Sequence, residues 1–227
     1  MISLTDRLAD QIAALKLRKG VKPVRNWIKH ARLNGPKASV WQEKVIFVHI
    51  PKAAGSSVAR LDVGYTIGHQ TYGFYEKWCP AGQQMPPTFA VVRDPYDRYV
   101  SAYNYLADGR GNPFDTAWAL RNSLHRYDVN SFATTALADP KVQDWMHFMP
   151  QVDYVLNAAG TVAVDHILRM ETIADDWPGF AAQFDLPPEI PMVNVAKKAK
   201  ASPLNVDARA VIADLYADDF KTFDYAP

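Results

Sequence analysis

The chain has 227 residues, of which 48% are hydrophobic and 22% are charged, and its formal net charge is +1. These values are typical of a globular protein with a real core, and the balanced charge gives the whole molecule no electrostatic preference for a partner. The single cysteine, Cys79, excludes an intramolecular disulfide and a zinc cluster built on cysteine, and because no apolar run approaches the length of a membrane span, we expect a soluble, cytoplasmic protein.

The first 42 residues are predicted to form a basic, helical extension of a domain that covers residues 43–227. Apolar residues recur at helical spacing near the N-terminus, and a second helix is expected over Val24 to Arg32. Between Gln11 and Gln42 the sequence has eight Lys or Arg residues and no acidic residue. This run either contacts an anionic surface or forms a solvated face of the extension.

The stretch Val45 to Ser57 predicts a buried strand, a tight turn and the start of a helix. Val45 to Ile50 is apolar except for one histidine, and Pro51 ends the strand because it has no N–H for the sheet. Small and hydroxyl residues then follow: Lys52, Ala53, Ala54, Gly55, Ser56 and Ser57. Such a turn directs backbone N–H groups and a helix N-terminus towards an anion. We expect it to hold the phosphate end of a nucleotide-like donor; a plain strand-to-helix turn with a surface lysine is the alternative.

The position of the lysine distinguishes this turn from a Walker loop. In a Walker loop the lysine follows the glycines, whereas here Lys52 precedes Gly55. No hydrophobic strand ends in a convincing metal-binding Asp either, and both differences weaken an ATP or GTP interpretation. A lysine at the mouth of the turn can place its ammonium on the oxygen that joins a phosphate to a leaving group.

A second strand and helix carry a further candidate phosphate site. Thr88 to Val92 is a predicted buried strand, Asp94 is a predicted N-cap, and Pro95 is the first residue of the helix that follows. Arg93 then lies at the carboxyl end of a strand and Ser101 near the second turn of the helix. A guanidinium beside a hydroxyl suits a second phosphate group; a helix start with a structural ion pair is the alternative.

After the first turn a helix is predicted from Ser56 to about Asp62, and the remaining elements complete an α/β pattern. A structured loop is predicted over Gly64–Pro87, before the strand and helix just described. Two or three helices are predicted in Pro113–Phe148, followed by two short strands in Val152–Glu171. The chain then continues with a helix over Thr172–Phe184, a loop over Leu186–Pro203 and a helix over Val206–Tyr216. Strands that alternate with helices predict a P-loop-like three-layer α/β fold, with a mainly parallel central sheet flanked by helices. Its site is expected at the carboxyl ends of the strands.

With these motifs in place, the sequence resembles a known family. HIPKAAGSS followed by VVRDPYDRYVSAY is similar to the sulfotransferases of the carbohydrate, Golgi-type class (family 2) and their bacterial relatives, which use 3′-phosphoadenosine 5′-phosphosulfate as donor. The likeness continues through DYVLN, DHILRMETIADDW, the loop Met192-Val193-Asn194 and the ending YADDFKTFDY, and so covers about Val45 to Tyr225. Because the sequence has no membrane anchor, we expect a soluble member of the bacterial type.

The resemblance implies roles for both motifs. Pro51 to Ser57 would bind the 5′-phosphosulfate of the donor, and Arg93 and Ser101 its 3′-phosphate. Sulfuryl transfer moves a neutral SO₃ unit, so a metal ion is not obligatory, and Lys52 can stabilise the charge on the departing phosphate.

A base must take the proton of the acceptor hydroxyl, and His69 is our candidate. It lies in a polar loop between the two motifs, where related glycan sulfotransferases place a base histidine, and an ordinary imidazole, with a pKa near ~6.5, suits the task. A loop histidine that only bonds the main chain is the alternative. His49 is interpreted as a core residue or a wall of the site, and His166 as structural. Glu171 is interpreted as a partner of Arg169 or a helix cap rather than a base.

A basic loop near the C-terminus is a further candidate for the 3′-phosphate. Asn194 and Lys198, with Lys197 and Lys200, can close over this phosphate, although the Arg-Lys-Gly signature of the cytosolic small-molecule sulfotransferases is absent. A solvated charge run is the alternative. A group of aromatic residues either stacks on a sugar or adenine face or orders its own loop: Tyr65, Tyr72, Phe74, Tyr75 and Trp78.

The sequence therefore predicts an enzyme that transfers a sulfuryl group from 3′-phosphoadenosine 5′-phosphosulfate to a hydroxyl of a saccharide or related acceptor. No nucleic-acid partner is expected. Two other classes stay open at this point: a P-loop-type kinase or other NTPase, and a non-catalytic module that binds sulfated or phosphorylated ligands.

Overall fold

The chain forms two compact units in the computed structural model, which describes residues 35–61, 68–109, 112–191 and 204–227. Within these ranges the sheet unit comprises 35–61, 68–93 and 151–191, and the helical unit comprises 94–109, 112–150 and 204–227. The helices predicted before residue 35 lie outside the described residues. The predicted boundary between an extension and a domain at residue 42 stays a prediction.

The sheet unit is built on three parallel strands. They are β1 (Ile46–Phe47), β2 (Thr88–Val92) and β3 (His166–Arg169), in the order β1–β2–β3. Ile46 pairs with Thr88, and Phe89 pairs with His166. Together with the helices described next, this confirms the predicted α/β class with a parallel sheet.

The described residues contain ten α-helices and three short 3₁₀ helices. The α-helices are, in chain order, α1 (Gly55–Val58), α2 (Tyr72–Trp78), α3 (Pro95–Ala107), α4 (Pro113–Arg121), α5 (Val129–Thr135), α6 (Pro140–Gln143), α7 (Val152–Val155), α8 (Ile173–Gln183), α9 (Val206–Leu215) and α10 (Ala217–Thr222). The 3₁₀ helices are Ala38–Gln42, Ala59–Leu61 and Leu124–Arg126. None of the helices in the described part of the chain combines the length and apolarity needed to cross a bilayer.

β2 is the central strand, and all five of its residues are buried. An uninterrupted apolar run suits this position because a central parallel strand is covered on both faces. β1 is shorter than the predicted strand Val45–Ile50, although the N–H of Val48 still donates to Phe89 O at 2.8 Å. The predicted strand ends early because the chain then bends into the turn at Pro51.

A side-chain cluster joins β2 to the residue before β3. Asp165 Oδ2 accepts from the N–H of Thr88 at 2.8 Å and from its hydroxyl at 2.7 Å, and the hydroxyl in turn accepts from the N–H of Asp165 at 3.1 Å. These three bonds favour the register in which β3 pairs with β2.

Each unit has its own apolar core. In the sheet unit Phe89 packs against Phe180 and Trp177 of α8, with ring centroids 4.8 and 6.1 Å apart. In the helical unit Phe132 of α5 packs against Tyr103 and Phe148, with ring centroids 5.8 and 5.3 Å apart. Phe89, Phe132, Phe148 and Trp177 have no exposed surface.

Two segments differ from their predicted structure. The loop predicted over Gly64–Pro87 contains helix α2, because Thr71 caps it by accepting from Phe74 N at 3.3 Å and because Phe74 and Tyr75 are buried. The first of the two strands predicted after Val152 is instead helix α7, all four residues of which are buried. Burial rather than β-branched propensity decides the conformation of this short segment.

The other predicted helices are confirmed with small changes. The region Pro113–Phe148 holds α4, α5 and α6, and the helices predicted after Thr172 and at Val206 are α8 and α9. α10 was not predicted as a separate element. The loop predicted over Leu186–Pro203 has no regular element up to Pro191, and residues 192–203 lie outside the described residues.

Candidate active site

The turn after β1 contains two residues with left-handed backbone conformation. Lys52 and Ala54 both have positive φ angles, 68° and 53°, in the left-handed region that non-glycine residues rarely occupy. Left-handed residues in a turn direct successive N–H groups towards one concavity, which suits an anion. The side chain of Lys52 leaves this turn from a half-buried position. The main chain of Pro51 to Ser57 therefore has a conformation suited to the ligand expected of it.

The helix that begins in this turn is shorter than predicted. α1 has four residues and continues only as a 3₁₀ turn, whereas we predicted a helix from Ser56 to about Asp62. Its first two main-chain bonds are accepted by Ala54 O, at 2.9 and 3.2 Å. Because a helix this short has a small macrodipole, the predicted anion site depends on Lys52 and on the N–H groups of the turn itself.

His49 packs between β1 and this turn. Its ring stacks on Phe47, with centroids 5.0 Å apart. A β-carbon built on Gly55 would lie 1.7 Å from His49 Nε2, so the imidazole directly contacts the main chain of the glycine. Glycine is required here for space. Of the two interpretations of His49, this contact favours a wall of the site.

His69 lies against His49. Its Nδ1 is 3.2 Å from His49 O, and the two ring centroids are 4.2 Å apart. A carbonyl oxygen only accepts, so Nδ1 carries the proton in this hydrogen bond, and Nε2 of the neutral ring holds the lone pair. The main chain of His49 therefore selects the tautomer that can accept a proton at Nε2. A structural loop histidine would make the same bond, so the contact is compatible with both interpretations of His69.

Arg93 directly follows the last residue of β2, as predicted, and is half-buried. Its main chain is held by Gln151, which the sequence did not single out. The N–H of Arg93 donates to Gln151 Oε1 at 2.9 Å, and Gln151 Nε2 donates to Arg93 O at 2.8 Å. The two residues are 58 positions apart, and no local pattern marks the glutamine.

Ser101 lies in the helical unit, on α3. It is half-buried in the second turn of this helix, as predicted. Asp94 caps the helix by accepting from Asp97 N at 3.0 Å, and Pro95 occupies the first turn, which confirms both predictions.

The predicted site residues thus fall into three groups. The sheet unit brings together the turn Pro51–Ser57, His49 and His69. Arg93 also belongs to the sheet unit. Ser101 belongs to the helical unit. The predictions for Asn194, Lys197, Lys198 and Lys200 fall outside the described residues.

Two other histidines, His166 and His147, contact aromatic rings or a carboxylate of their own unit. His166 packs edge-on against Phe180 and Phe184, with ring centroids 5.5 and 5.3 Å apart, in agreement with its structural interpretation. His147 is buried, and its Nε2 lies 3.1 Å from Asp115 Oδ1. In the described ranges no three His, Cys, Asp or Glu side chains come together as a metal site.

The aromatic residues of α2 divide by burial. Phe74 and Tyr75 have no exposed surface, so they order their own segment, as one of the two interpretations proposed. Tyr72 is half-buried, and burial, together with the nearby Glu76 carboxylate, raises the pKa of its phenol. Trp78 is 38% exposed and packs on Gly35, where an added β-carbon would lie 2.6 Å from the indole. Tyr65 lies outside the described residues.

Comparison with known proteins gives one match. A family model described as the sulfotransferase family matches residues 68–226, well over half of the chain. The matched region includes His69, Arg93 and Ser101 and begins after the turn Pro51–Ser57. No curated protein and no solved structure matches the chain.

Proposed function

The chain belongs to the sulfotransferase family, and from this premise we propose that it transfers a sulfuryl group from 3′-phosphoadenosine 5′-phosphosulfate to a hydroxyl of a saccharide or related acceptor. The observation that carries the proposal is the contact between the phosphate turn and the two histidines. Gly55 touches the ring of His49, and His49 O holds His69 in the tautomer that accepts a proton. These contacts support the proposal because they bring the proposed phosphate-binding turn close to the proposed base.

In this proposal the acceptor oxygen attacks sulfur while the bond from sulfur to the bridging phosphate oxygen breaks. The electron pair of that bond goes to the phosphate of the departing adenosine 3′,5′-bisphosphate, and the acceptor proton goes to His69 Nε2. The ammonium of Lys52 stabilises the charge that develops on the phosphate. The transferred SO₃ unit is neutral, so the proposed reaction does not require a metal ion for charge neutralisation.

The donor's two ends are proposed to bind different residues. Pro51 to Ser57 hold the 5′-phosphosulfate, through the N–H groups of the turn and the hydroxyls of Ser56 and Ser57. Arg93 and Ser101 hold the 3′-phosphate, which a guanidinium recognises through two parallel hydrogen bonds. Asn194 and Lys198 are proposed to contribute to the same phosphate.

Ligand-dependent stability separates this proposal from its rivals. We expect adenosine 3′,5′-bisphosphate to raise the Tm and ATP with Mg²⁺ to leave it unchanged, because a ligand that binds only the folded state stabilises it. Transfer of radioactive sulfate from the donor to a panel of glycans then tests catalysis. Stabilisation by ATP with Mg²⁺ alone would indicate an NTPase, and donor binding without transfer to any acceptor would indicate a binding module.

Substitution of the two proposed catalytic residues provides a further test. We expect His69→Ala to lower kcat by about 10²–10⁴-fold, the usual contribution of a general base, and Lys52→Ala to lower it by about 10²–10³-fold. The assay is initial-rate sulfate transfer at saturating donor. His125→Ala and Lys141→Ala, which alter exposed residues of the helical unit, are the matched controls and should retain activity. Full turnover by His69→Ala would assign the proton to another group.

A further inference from the structure

Gln151 is a fully buried residue whose side-chain amide makes two hydrogen bonds to the main chain of Arg93. Its Oε1 accepts from Arg93 N at 2.9 Å, its Nε2 donates to Arg93 O at 2.8 Å, and none of its surface is exposed. The main-chain N–H of Arg93 can donate only to the amide oxygen of Gln151, and the carbonyl of Arg93 can accept only from the amide N–H. These two bonds therefore determine which way the Gln151 amide is oriented.

These two bonds lie where the sheet ends. Val92, the last residue of β2, pairs with Arg169, and its carbonyl accepts from Met170 N at 2.8 Å. Arg93 is the next residue and follows the last paired position of β2. The Gln151 amide supplies one acceptor and one donor to the main chain of Arg93, as a neighbouring strand would.

Gln151 is itself held firmly. It precedes α7, and Tyr154 N donates to its carbonyl at 3.0 Å. Tyr154 and Val155 have no exposed surface. Although Gln151 occupies the N-cap position of α7, its side chain makes no capping bond there. A side chain at a helix N-terminus that bonds a distant strand end instead indicates a role directed at that strand end.

We propose that Gln151 is a positioning residue for Arg93 and, through it, for the 3′-phosphate of the donor; this inference rests on the proposed function. In extended backbone, holding a residue's main chain sets the direction in which its side chain leaves the strand. A guanidinium that makes two parallel bonds to a phosphate depends strongly on this direction. Loss of the amide would remove two hydrogen bonds from the main chain of Arg93 and weaken recognition of the 3′-phosphate.

The test compares two nucleotides that differ only in this phosphate. Affinities of adenosine 3′,5′-bisphosphate and adenosine 5′-phosphate are measured by calorimetry for the wild-type protein and for Gln151→Met, which keeps the side-chain length and removes both hydrogen bonds. We expect the bisphosphate affinity to fall on the order of tenfold, the size of one charge-assisted hydrogen bond, and the 5′-phosphate affinity to stay the same. Gln143→Met, at a site 1% exposed in the helical unit, is the control for loss of a buried amide and should leave both affinities unchanged.

A double substitution separates positioning from stability. If Gln151 acts through Arg93, then Gln151→Met adds no further loss of bisphosphate affinity in a chain that already carries Arg93→Met. If Gln151→Met does not fold, Gln151→Asn, which retains the amide on a shorter side chain, replaces it in the same double-mutant cycle with Arg93→Met. An equal fall in the affinities for both nucleotides would show a purely structural role and overturn the inference. Additive losses of bisphosphate affinity in the double variant would do the same. Equal binding of the two nucleotides by the wild-type protein would instead overturn the 3′-phosphate site on which it rests.

Discussion

Residues of the turn after β1 are constrained by space and by backbone conformation. Lys52 and Ala54 adopt the left-handed region, which costs a non-glycine residue about 1–2 kcal/mol. Gly55, by contrast, is helical and is needed because the ring of His49 occupies the position of a β-carbon. The local strain lies where the donor is proposed to bind, as is common for ligand-binding turns.

Gly55→Ala is predicted to displace the ring of His49, on which the ring of His69 packs with centroids 4.2 Å apart. The new β-carbon would lie 1.7 Å from His49 Nε2, so the imidazole must move. We expect turnover to fall by about 10-fold because His69, the proposed base, loses the neighbouring ring that restricts its orientation. Sulfate transfer and the Tm are measured together.

Gly179→Ala is the matched control for this substitution. Gly179 lies inside α8, and nothing lies within 4 Å of its added β-carbon, so the change should raise stability by about 0.5–1 kcal/mol and leave turnover unchanged. Combining Gly55→Ala with His49→Ala removes the steric conflict and should restore the Tm but not the turnover. A normal rate for Gly55→Ala alone would contradict the proposed role of this contact.

At the scale of elements, local capping explains where several helices begin. Asp128 and Ser131 form a capping box at the start of α5. Asp128 Oδ1 accepts from the N–H groups of Asn130 and Ser131 at 2.9 and 2.8 Å, and Ser131 Oγ accepts from Asp128 N at 2.9 Å. The bonds from the Ser131 N–H and hydroxyl hold the pKa of the Asp128 carboxyl below its usual value.

Asp128→Ala is predicted to lower the free energy of unfolding by about 1 kcal/mol at neutral pH, the usual value of an N-cap. Because the folded-state pKa is lowered, the ionised carboxylate contributes stability above the unfolded-state pKa, and this contribution is lost as pH falls through the folded-state pKa. Asp128→Asn keeps the acceptor oxygen, so it should retain the cap and lose this acid dependence. Urea unfolding at neutral and acidic pH measures both effects; an unchanged acid dependence in the Asn variant would contradict the assignment.

Short elements were the ones that sequence patterns predicted poorly. α7 consists of Val152, Asp153, Tyr154 and Val155, a composition typical of a strand. Each of its residues is buried, so contacts with the rest of the sheet unit outweigh the weak local preference. α2 did carry one local signal, the N-cap Thr71, inside a segment whose glycines and prolines favour a loop.

At the scale of the whole molecule, stability depends on the apolar core that the described residues of each unit form. The core of the sheet unit surrounds Phe89 and Phe180, and that of the helical unit surrounds Phe132 and Phe148. Each core consists of residues that are distant in the sequence. Within a close-packed interior, removal of part of one aromatic ring leaves a gap that the neighbours fill only in part.

Phe132→Leu and Phe180→Leu are each predicted to lower the free energy of unfolding by about 1 kcal/mol. Both residues are buried, at 0% and 4% exposure, whereas Phe114 is 79% exposed. Phe114→Leu is therefore the matched control and should change stability by less than about 0.5 kcal/mol. Urea unfolding of the three variants gives the comparison, and equal effects at buried and exposed positions would show that these cores are not packed as described.

The sequence by itself determined the parallel α/β class, the buried strand β2, the capped start of α3 and the family. These features depend on local signals: an apolar run, an Asp-Pro helix start and two ordered motifs. Tertiary structure alone decided that His49 separates Gly55 from His69 and that Gln151 holds Arg93. These partners are far apart along the chain and meet only when the sheet has formed. No local sequence pattern around a glutamine or histidine predicts such a contact.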